Sequence, residues 1–412
     1  MARFIIPLLI FYVILFLIEW YAYQAFKTVV KGRLYRWIWM AINSVAYLQM
    51  IVVVISQTER SQTLASQFSF GVLLWFLIPK LILILFMFGE DLFRLLEWTY
   101  RKLRYSDSGD DNYFSGRRKF ISQIALGLAA IPFSSFLYGM VKGKYNYKVL
   151  KYELAFDDLP DAFDNFTITQ ISDIHSGSFT NAGKVQYAID LIAEQQSDLL
   201  LFTGDIVNNK ANEMDDYIGM FSMLKAPFGK FSILGNHDYG DYTEWKTEED
   251  KVANFESIKS IHPKIGFDLL LNESRYIEKD GQKIALIGVE NWGKGWKQAG
   301  DLKLASQEIQ QEDFKVLMSH DPSHWEHQVK KDDFNYHLTL SGHTHGLQMG
   351  IEIPGLKWSP IKYVYKHWAG LYEEYGRYVN VNRGFGYHGF PGRVGIWPEI
   401  TVIKLKKGQK VS

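Results

Sequence analysis

Ile168-Thr169-Gln170-Ile171-Ser172-Asp173-Ile174-His175 opens the part of the chain that decides the fold: a short apolar strand runs into a loop carrying a carboxylate and an imidazole two residues apart. Alternation along an extended segment puts Asp173 and His175 on the same side, as two ligands of one metal require. The unit recurs four times. Leu199–Phe202 ends in Thr203-Gly204-Asp205-Ile206-Val207-Asn208, where Gly204 lets the chain turn and Asp205 projects from the sheet edge. Phe231–Leu234 ends in Gly235-Asn236-His237-Asp238, Val316–Met318 in Ser319-His320-Asp321, and Leu338–Leu340 in Ser341-Gly342-His343-Thr344-His345. Alone, each piece is weak, since an Asp-x-His arises by chance and Gly-Asn-His-Asp is also an ordinary turn. Their recurrence at successive strand ends points to a dimetal site, and sulfur-free donors suit manganese, iron or zinc.

Around these loops, strand-like runs alternate with helical ones from about Lys148 onward: Thr167–Ile171, the helical Val185–Gln195, Leu199–Thr203, Lys230–Leu234, Lys283–Val289, Lys315–Ser319, His337–Leu340, Tyr378–Asn382 and Glu399–Leu405. That alternation indicates an α/β domain with its chemistry beyond the strands' carboxyl ends. The 412 residues exceed what one core usually covers. A formal net charge of +0 without a basic run speaks against a nucleic-acid partner. Cysteine is absent, which excludes disulfides, thiolate zinc sites, iron–sulfur clusters and thiol catalysis.

The first third is a different material. Apolar runs at 4–23, 37–55, 68–88 and 120–141 are each long enough to cross a ~30 Å hydrocarbon layer. The first connection carries Lys27, Lys31, Arg33 and Arg36, the second only Arg60, and the third Arg94, Arg101, Lys102, Arg104, Arg117, Arg118 and Lys119. The positive-inside rule then sets the first and third connections in the cytoplasm and the remainder outside, although Lys142, Lys144, Lys148 and Lys151 argue the other way. Ser115-Gly116-Arg117-Arg118-Lys119-Phe120-Ile121 reads either as an ordinary basic membrane flank or as an internal twin-arginine export signal. Glu19 and Lys80, ionisable groups within apolar runs, are expected to snorkel or to pair inside the bundle.

The ordered set DIH, GDIVN, GNHD, SH and GHTH resembles the calcineurin-like metallophosphoesterase superfamily, over about Lys148 to the C-terminus. Asn382-Arg383-Gly384 and Pro398-Glu399-Ile400 resemble its bacterial membrane-anchored branch, some members of which carry a twin-arginine signal. The resemblance implies a four-layer αββα sandwich over 146–412, preceded by a membrane region over 1–145. By the same resemblance, Asp173, His175 and His345 bind one metal, Asn236, His320 and His343 a second, and Asp205 bridges them. His237 is the residue that protonates the leaving oxygen or stabilises the transition state. Two cations ~3.5–4 Å apart would share a bridging hydroxide that attacks phosphorus in line. One departure is plain: where phosphoprotein phosphatases carry an Asp-Arg pair, this chain has Asn208 and Asn209. That makes His237 less basic, removes a bidentate phosphate clamp and disfavours phosphoprotein substrates.

Other motifs fall away. Gly384–Gly389 fits G-x-G-x-x-G, but Pro391 and Gly392 stand where a dinucleotide-binding helix would begin. Gly288–Gly295 ends in Gly where a P-loop needs Ser or Thr, and no G-x-S-x-G elbow occurs. His262, His324, His327 and His388 are expected at the surface or in loops rather than as ligands. Trp292, Trp296, Trp358, Trp368, Tyr363 and Tyr365, near Lys294, Lys297 and Lys366, fit a membrane interface or an ordinary core and rim equally. The expectation is a membrane-anchored dimetal phosphoesterase of the bacterial inner membrane with its catalytic domain extracytoplasmic. It would hydrolyse phosphodiester or pyrophosphate bonds in a lipid-linked or extracytoplasmic substrate. The alternatives are a cytoplasm-facing enzyme like the UDP-2,3-diacylglucosamine pyrophosphatases, and a non-catalytic receptor or scaffold with a metal-stabilised domain.

Overall fold

The computed structural model describes residues 2–56, 63–104, 112–295 and 297–408; Arg60 and Trp296 lie outside the described residues. The chain divides into two compact units, one of residues 1–57 and 68–138 and one of 58–67 and 139–412.

Four helices make up the first unit: α1 (Ala2–Val29), α2 (Arg33–Ser56), α3 (Leu64–Arg104) and α4 (Asn112–Val141). All four are long and apolar enough to cross a membrane. Their outward faces stay greasy, with Phe16 67% and Leu85 69% exposed, because lipid rather than water is their solvent. Inside, the small Ala22, Ala25, Ala125 and Ala129 let α1 and α4 close on Leu83 and Met87 of α3. Glu19 and Lys80 pair at 2.6 Å, and Lys80 also donates to the Tyr47 hydroxyl at 2.6 Å and to the Asn43 side chain. The intramembrane charges are therefore mutually satisfied within the bundle. Arg117 donates through Nε and Nη2 to Glu90 Oε2, at 3.0 and 2.7 Å, and Arg118 pairs with Asp91, so α4 is pinned to α3 by the two arginines of the basic motif.

The second unit runs β1 (Lys148–Phe156), β2 (Thr167–Ile171), α5 (Ala182–Ala193), β3 (Leu199–Phe202), α6 (Ile218–Ser222), β4 (Lys230–Ser232), α7 (Glu248–Lys264), β5 (Asp268–Leu269), β6 (Glu273–Lys279), β7 (Gln282–Gly288), α8 (Leu302–Ala305), β8 (Lys315–Met318), α9 (Pro322–His327), β9 (Leu338–Ser341), β10 (Ile351–Ile353), β11 (Leu356–Trp358), β12 (Gly370–Glu374), β13 (Arg377–Val381) and β14 (Glu399–Lys407). Two six-stranded mixed sheets result, ordered β1-β14-β2-β3-β4-β5 and β12-β13-β9-β8-β7-β6, with β10–β11 a separate hairpin. Alternation explains the layering. Leu199 and Leu201 join Leu286, Val316, Met318 and Leu340 in a core between the sheets. Their neighbours Leu200 and Phe202 face the opposite way, onto Val185, Ile189 and Ile192 of α5 and Ile258 and Ile261 of α7. On the far sheet Ala285, Ile287 and Leu317 face Leu302, Ala305 and Trp325 of α8 and α9. Both sheets are thus covered on both faces, giving the four-layer sandwich. β2, β3 and β4 run parallel in one sheet and β8 and β9 in the other, so all five metal-type loops leave from carboxyl ends of strands.

Two of the spare histidines correct the expectation of a surface or loop position: His262 and His324 are both fully buried. His324 Nδ1 lies 2.8 Å from Ser319 Oγ and its ring stacks on Trp292. His262, on α7, stacks on Phe202 with Nδ1 2.8 Å from Ser232 Oγ, and burial pushes it down to about 3. An imidazole neutral when folded but titrating near 6.5 when unfolded contributes stability above that pH and loses it as pH falls toward 3. Between pH 8 and pH 5 the contribution lost is roughly 2 kcal/mol. A His262→Phe chain is therefore expected to lose that much less stability than wild type over the interval, in unfolding followed in detergent. Identical pH slopes would show that His262 does not titrate on unfolding.

Candidate metal centre

Main-chain hydrogen bonds join the first loop to the second and the fourth to the fifth before any side chain is considered. Asp173 N donates to Gly204 O at 2.9 Å and His175 N to Asp205 O at 3.1 Å, while Gly342 N donates to His320 O at 2.8 Å. Close approach demands small residues: a Cβ on Gly342 would sit 1.9 Å from Ser172 Oγ and 2.3 Å from Asp173 Oδ2. The backbone is also forced. Asp173, His175, Asp205, His343 and His345 all have φ between 47° and 70°, a region that side-chain-bearing residues rarely adopt. Such conformations concentrate at functional sites because the surrounding structure must hold them there.

All seven residues expected to bind metal are brought together, in two sets. Asp173, His175 and His345 form the first: His345 Nε2 lies 3.2 Å from Asp173 Oδ1 and 3.0 Å from His175 Nε2. Asp205, His320 and His343 form the second, with Asn236 Oδ1 2.8 Å from His343 Nδ1. Asp205 lies between them, its Oδ2 3.5 Å from His175 Nε2 and 3.2 Å from His320 Nε2. Partners on the far side fix the rings. His320 Nδ1 donates to Thr203 O at 2.7 Å, which turns Nε2 inward to 3.2 Å from Asp205 Oδ2. Burial opposes charge on this ring, but Asp205 outweighs it and raises its pKa to about 10, so a cation binding there displaces the Nε2 proton. His343 Nε2 lies 2.9 Å from the Tyr365 hydroxyl. Burial disfavours charge on both aspartates, yet His320 and His237 hold Asp205 well below the ordinary carboxylate range, and His345 lowers Asp173. Burial, reinforced by His388, pushes His175 well down. Anionic carboxylates beside a neutral imidazole are the protonation states that a divalent cation needs. Ring nitrogens 3.0 Å apart, with carboxylates at the same point and no sulfur, fit borderline cations.

His237 sits at the edge of this cluster. Its main-chain N donates to Asp205 Oδ1 at 2.9 Å, and its Nδ1 lies 2.9 Å from Asn208 O. The orienting carboxylate absent from the sequence is thus replaced by a backbone carbonyl. Burial lowers the His237 pKa, as expected for an imidazole without an anionic orienter. Asn209 is occupied elsewhere: its Oδ1 accepts from Tyr242 N at 3.1 Å, placing the Tyr242 ring 4.5 Å from that of His237.

Several residues escaped the sequence reading. His388, expected to be a surface or loop histidine apart from the site, is a loop residue whose ring stacks on His175 and lies 4.3 Å from His237. Asp238 accepts from Gly235 N, Asp205 N and Ile206 N, tying two of the loops together. Burial beside Asp205 pushes its carboxyl up to about 7, against those donors. The rejected G-x-G-x-x-G is a sixth loop: Phe385 N and Gly386 N donate to Ser172 O and Asp173 O, and a Cβ on Gly386 would meet Ile174 O at 1.9 Å. Arg393, wholly buried, donates to the carbonyls of Arg383, Gly384 and Gly386 and holds that loop in place. The aromatic loops divide: Trp368 is core, Tyr365 meets His343, and Tyr363 is 75% exposed.

Comparison with known proteins gives two family matches. The family described as calcineurin-like phosphoesterase matches residues 166–347, and that described as probable calcineurin-like phosphoesterase, transmembrane domain, matches residues 2–144. An uncharacterized metallophosphoesterase, YkuE, of Bacillus subtilis is 32% identical over 252 residues, covering 60% of this chain and 82% of that protein. A transmembrane protein with metallophosphoesterase domain of Danio rerio is 26% identical, covering 79% of this chain and 71% of its own. The phosphodiesterase YaeI of Escherichia coli is 27% identical, covering 70% of this chain and 98% of its own.

Proposed function

The chain belongs to the calcineurin-like phosphoesterases, and on that premise we propose that it is a membrane-anchored phosphodiesterase or pyrophosphatase working with two divalent ions of manganese, iron or zinc. It is a membrane protein and a metal-dependent phosphoric ester hydrolase; substrate, topology and residue roles are our reading. The membrane region takes 1–145 and the hydrolase 146–412. Asp173, His175 and His345 hold one ion, Asn236, His320 and His343 the other, and Asp205 serves both. The observation that carries this is Asp205 Oδ2, within 3.5 Å of His175 and 3.2 Å of His320, one from each donor set.

When bound, such ions supply Lewis acidity to the phosphate oxygens and acidify a water molecule. The protein's part is orientation. Thr203 O and Tyr365 fix the His320 and His343 rings, and Asp205 Oδ1 anchors the His237 backbone. His237, its Nδ1 proton held on Asn208 O, presents Nε2 to the leaving oxygen as proton carrier. Without a guanidinium clamp at Asn209, singly charged diesters and pyrophosphate links suit the site better than phosphoproteins. Four spans exceed what tethering needs, which favours a lipid-linked substrate.

Detergent-purified chain, stripped by chelator, is expected to hydrolyse bis-p-nitrophenyl phosphate only after manganese, iron or zinc is restored. Inactivity with all three would favour the receptor or scaffold reading. We place the hydrolase outside the bacterial inner membrane, from the basic first and third connections. A C-terminal periplasm-active reporter should then be active. An inactive one would instead favour a cytoplasm-facing enzyme acting on UDP-2,3-diacylglucosamine-type lipids, the side to which Lys142, Lys144, Lys148 and Lys151 point.

A further inference from the structure

His388 belongs to neither donor set, yet it is built into the site. One nitrogen of each of His175, His237 and His388 lies within 4.8 Å of one nitrogen of each of the others. The three rings are 4.3 to 4.9 Å apart between centroids. We propose that these imidazoles form a third, nitrogen-only cation site that takes a zinc-type divalent ion and, when filled, occupies His237 and inhibits the hydrolase. The inhibition rests on the phosphoesterase reading above; the cation site does not.

Asn208 organises it. Its main-chain O lies 2.9 Å from His237 Nδ1 and its Oδ1 lies 3.1 Å from His388 Nδ1. The amide is oriented by its Nδ2, which donates to Ser178 Oγ at 3.0 Å, and its backbone N is anchored on Glu213 Oε2 at 2.6 Å. Each Nδ1 therefore carries the proton and each Nε2 keeps its lone pair, the outer arrangement that metal-binding histidines use. His175 turns Nε2 toward His345 and Asp205, while its Nδ1 is buried without a hydrogen-bond partner. With Nε2 given to the paired site, an ion on Nδ1 displaces the Nδ1 proton to solvent and His175 bridges as an imidazolate. His388 is only half-buried, which leaves the group reachable from solvent. Three imidazoles without a carboxylate select zinc-type ions over manganese, magnesium or calcium, which prefer oxygen donors. An ion on His237 Nε2 takes the lone pair through which that ring would exchange a proton with the leaving group.

The test uses full-length, manganese-loaded protein in detergent, hydrolysing bis-p-nitrophenyl phosphate under a zinc titration, with His388→Asn and His388→Gln beside wild type. With each form read against its own manganese-supported activity, the half-inhibiting zinc concentration should rise roughly 10–100-fold in both variants, as expected for losing a ligand's hold on the ion. Elemental analysis after gel filtration should find one zinc fewer per chain in the variants. Unchanged zinc sensitivity and unchanged zinc content would overturn the proposal, since displacement of manganese from the paired site is indifferent to His388. Should no form hydrolyse the ester, the zinc difference would still support the cation site while the hydrolase reading failed.

Discussion

An Asp205→Asn chain is expected to lose on the order of a thousandfold in manganese-dependent kcat/KM, about 4 kcal/mol of barrier, while remaining folded. The substitution keeps shape and the acceptor for His237 N, now at 2.9 Å from Asp205 Oδ1. What it changes is the other oxygen, which lies 3.5 Å from His175 Nε2 and 3.2 Å from His320 Nε2. An amide NH2 there would point hydrogens at the spot where both donor sets need an anionic lone pair, and one unit of negative charge disappears from between them. Manganese content should fall with activity, because neither set retains a carboxylate shared with the other. Kinetics and elemental analysis on the same preparation decide it. A variant that kept more than about a tenth of wild-type activity, within ~1.4 kcal/mol, would remove Asp205 from its central place.

Why this residue was readable in advance, and others were not, follows from the physics of each. Leu199–Phe202 is apolar on both faces and ends in a Gly-Asp turn, so strand, burial and the exit of Asp205 are all local properties. The same holds for the other four loops and for the apolar spans. β6, Glu273-Ser-Arg-Tyr-Ile-Glu-Lys, was illegible because an edge strand beside β7 buries only Ile277 and carries charge elsewhere. β1 pairs in parallel with β14, some two hundred and fifty residues later, and no local pattern encodes that register. The span read at 68–88 lies within a helix that continues to Arg104, since Glu90, Asp91 and Glu97 satisfy cations on its polar extension. His388 was missed because a histidine in a glycine-rich loop is locally indistinguishable from a surface one. Only the packing of the 384–393 loop on Asp173 and Ile174 brings it to His175. Asn208 shows the reverse: its departure from the family pattern was visible, but not that its carbonyl would take over the orienting of His237.

Asp238→Ala is expected to be the most destabilising single change at the site, by roughly 3–5 kcal/mol. The carboxylate is fully buried and accepts Asp205 N at 2.9 Å and Gly235 N at 2.8 Å on Oδ2, and Ile206 N at 2.9 Å on Oδ1. Removing it leaves three N–H groups in the interior, each costing ~1–3 kcal/mol when unpaired. Relief of a buried acid next to Asp205, the pressure that raises its pKa to about 7, offsets part of that sum. Asp238→Asn separates the two contributions. It removes the charge but restores only one acceptor, and its NH2 group then faces donors, so an intermediate loss is expected. Activity should fall further than stability in both, because Asp205 and Asn236 stand on the two turns that Asp238 ties together. Unfolding midpoints in detergent, read beside metal content, make the comparison. An Asp238→Ala chain within ~1 kcal/mol of wild type would mean that those loops are held by their strands alone and that the carboxylate is dispensable.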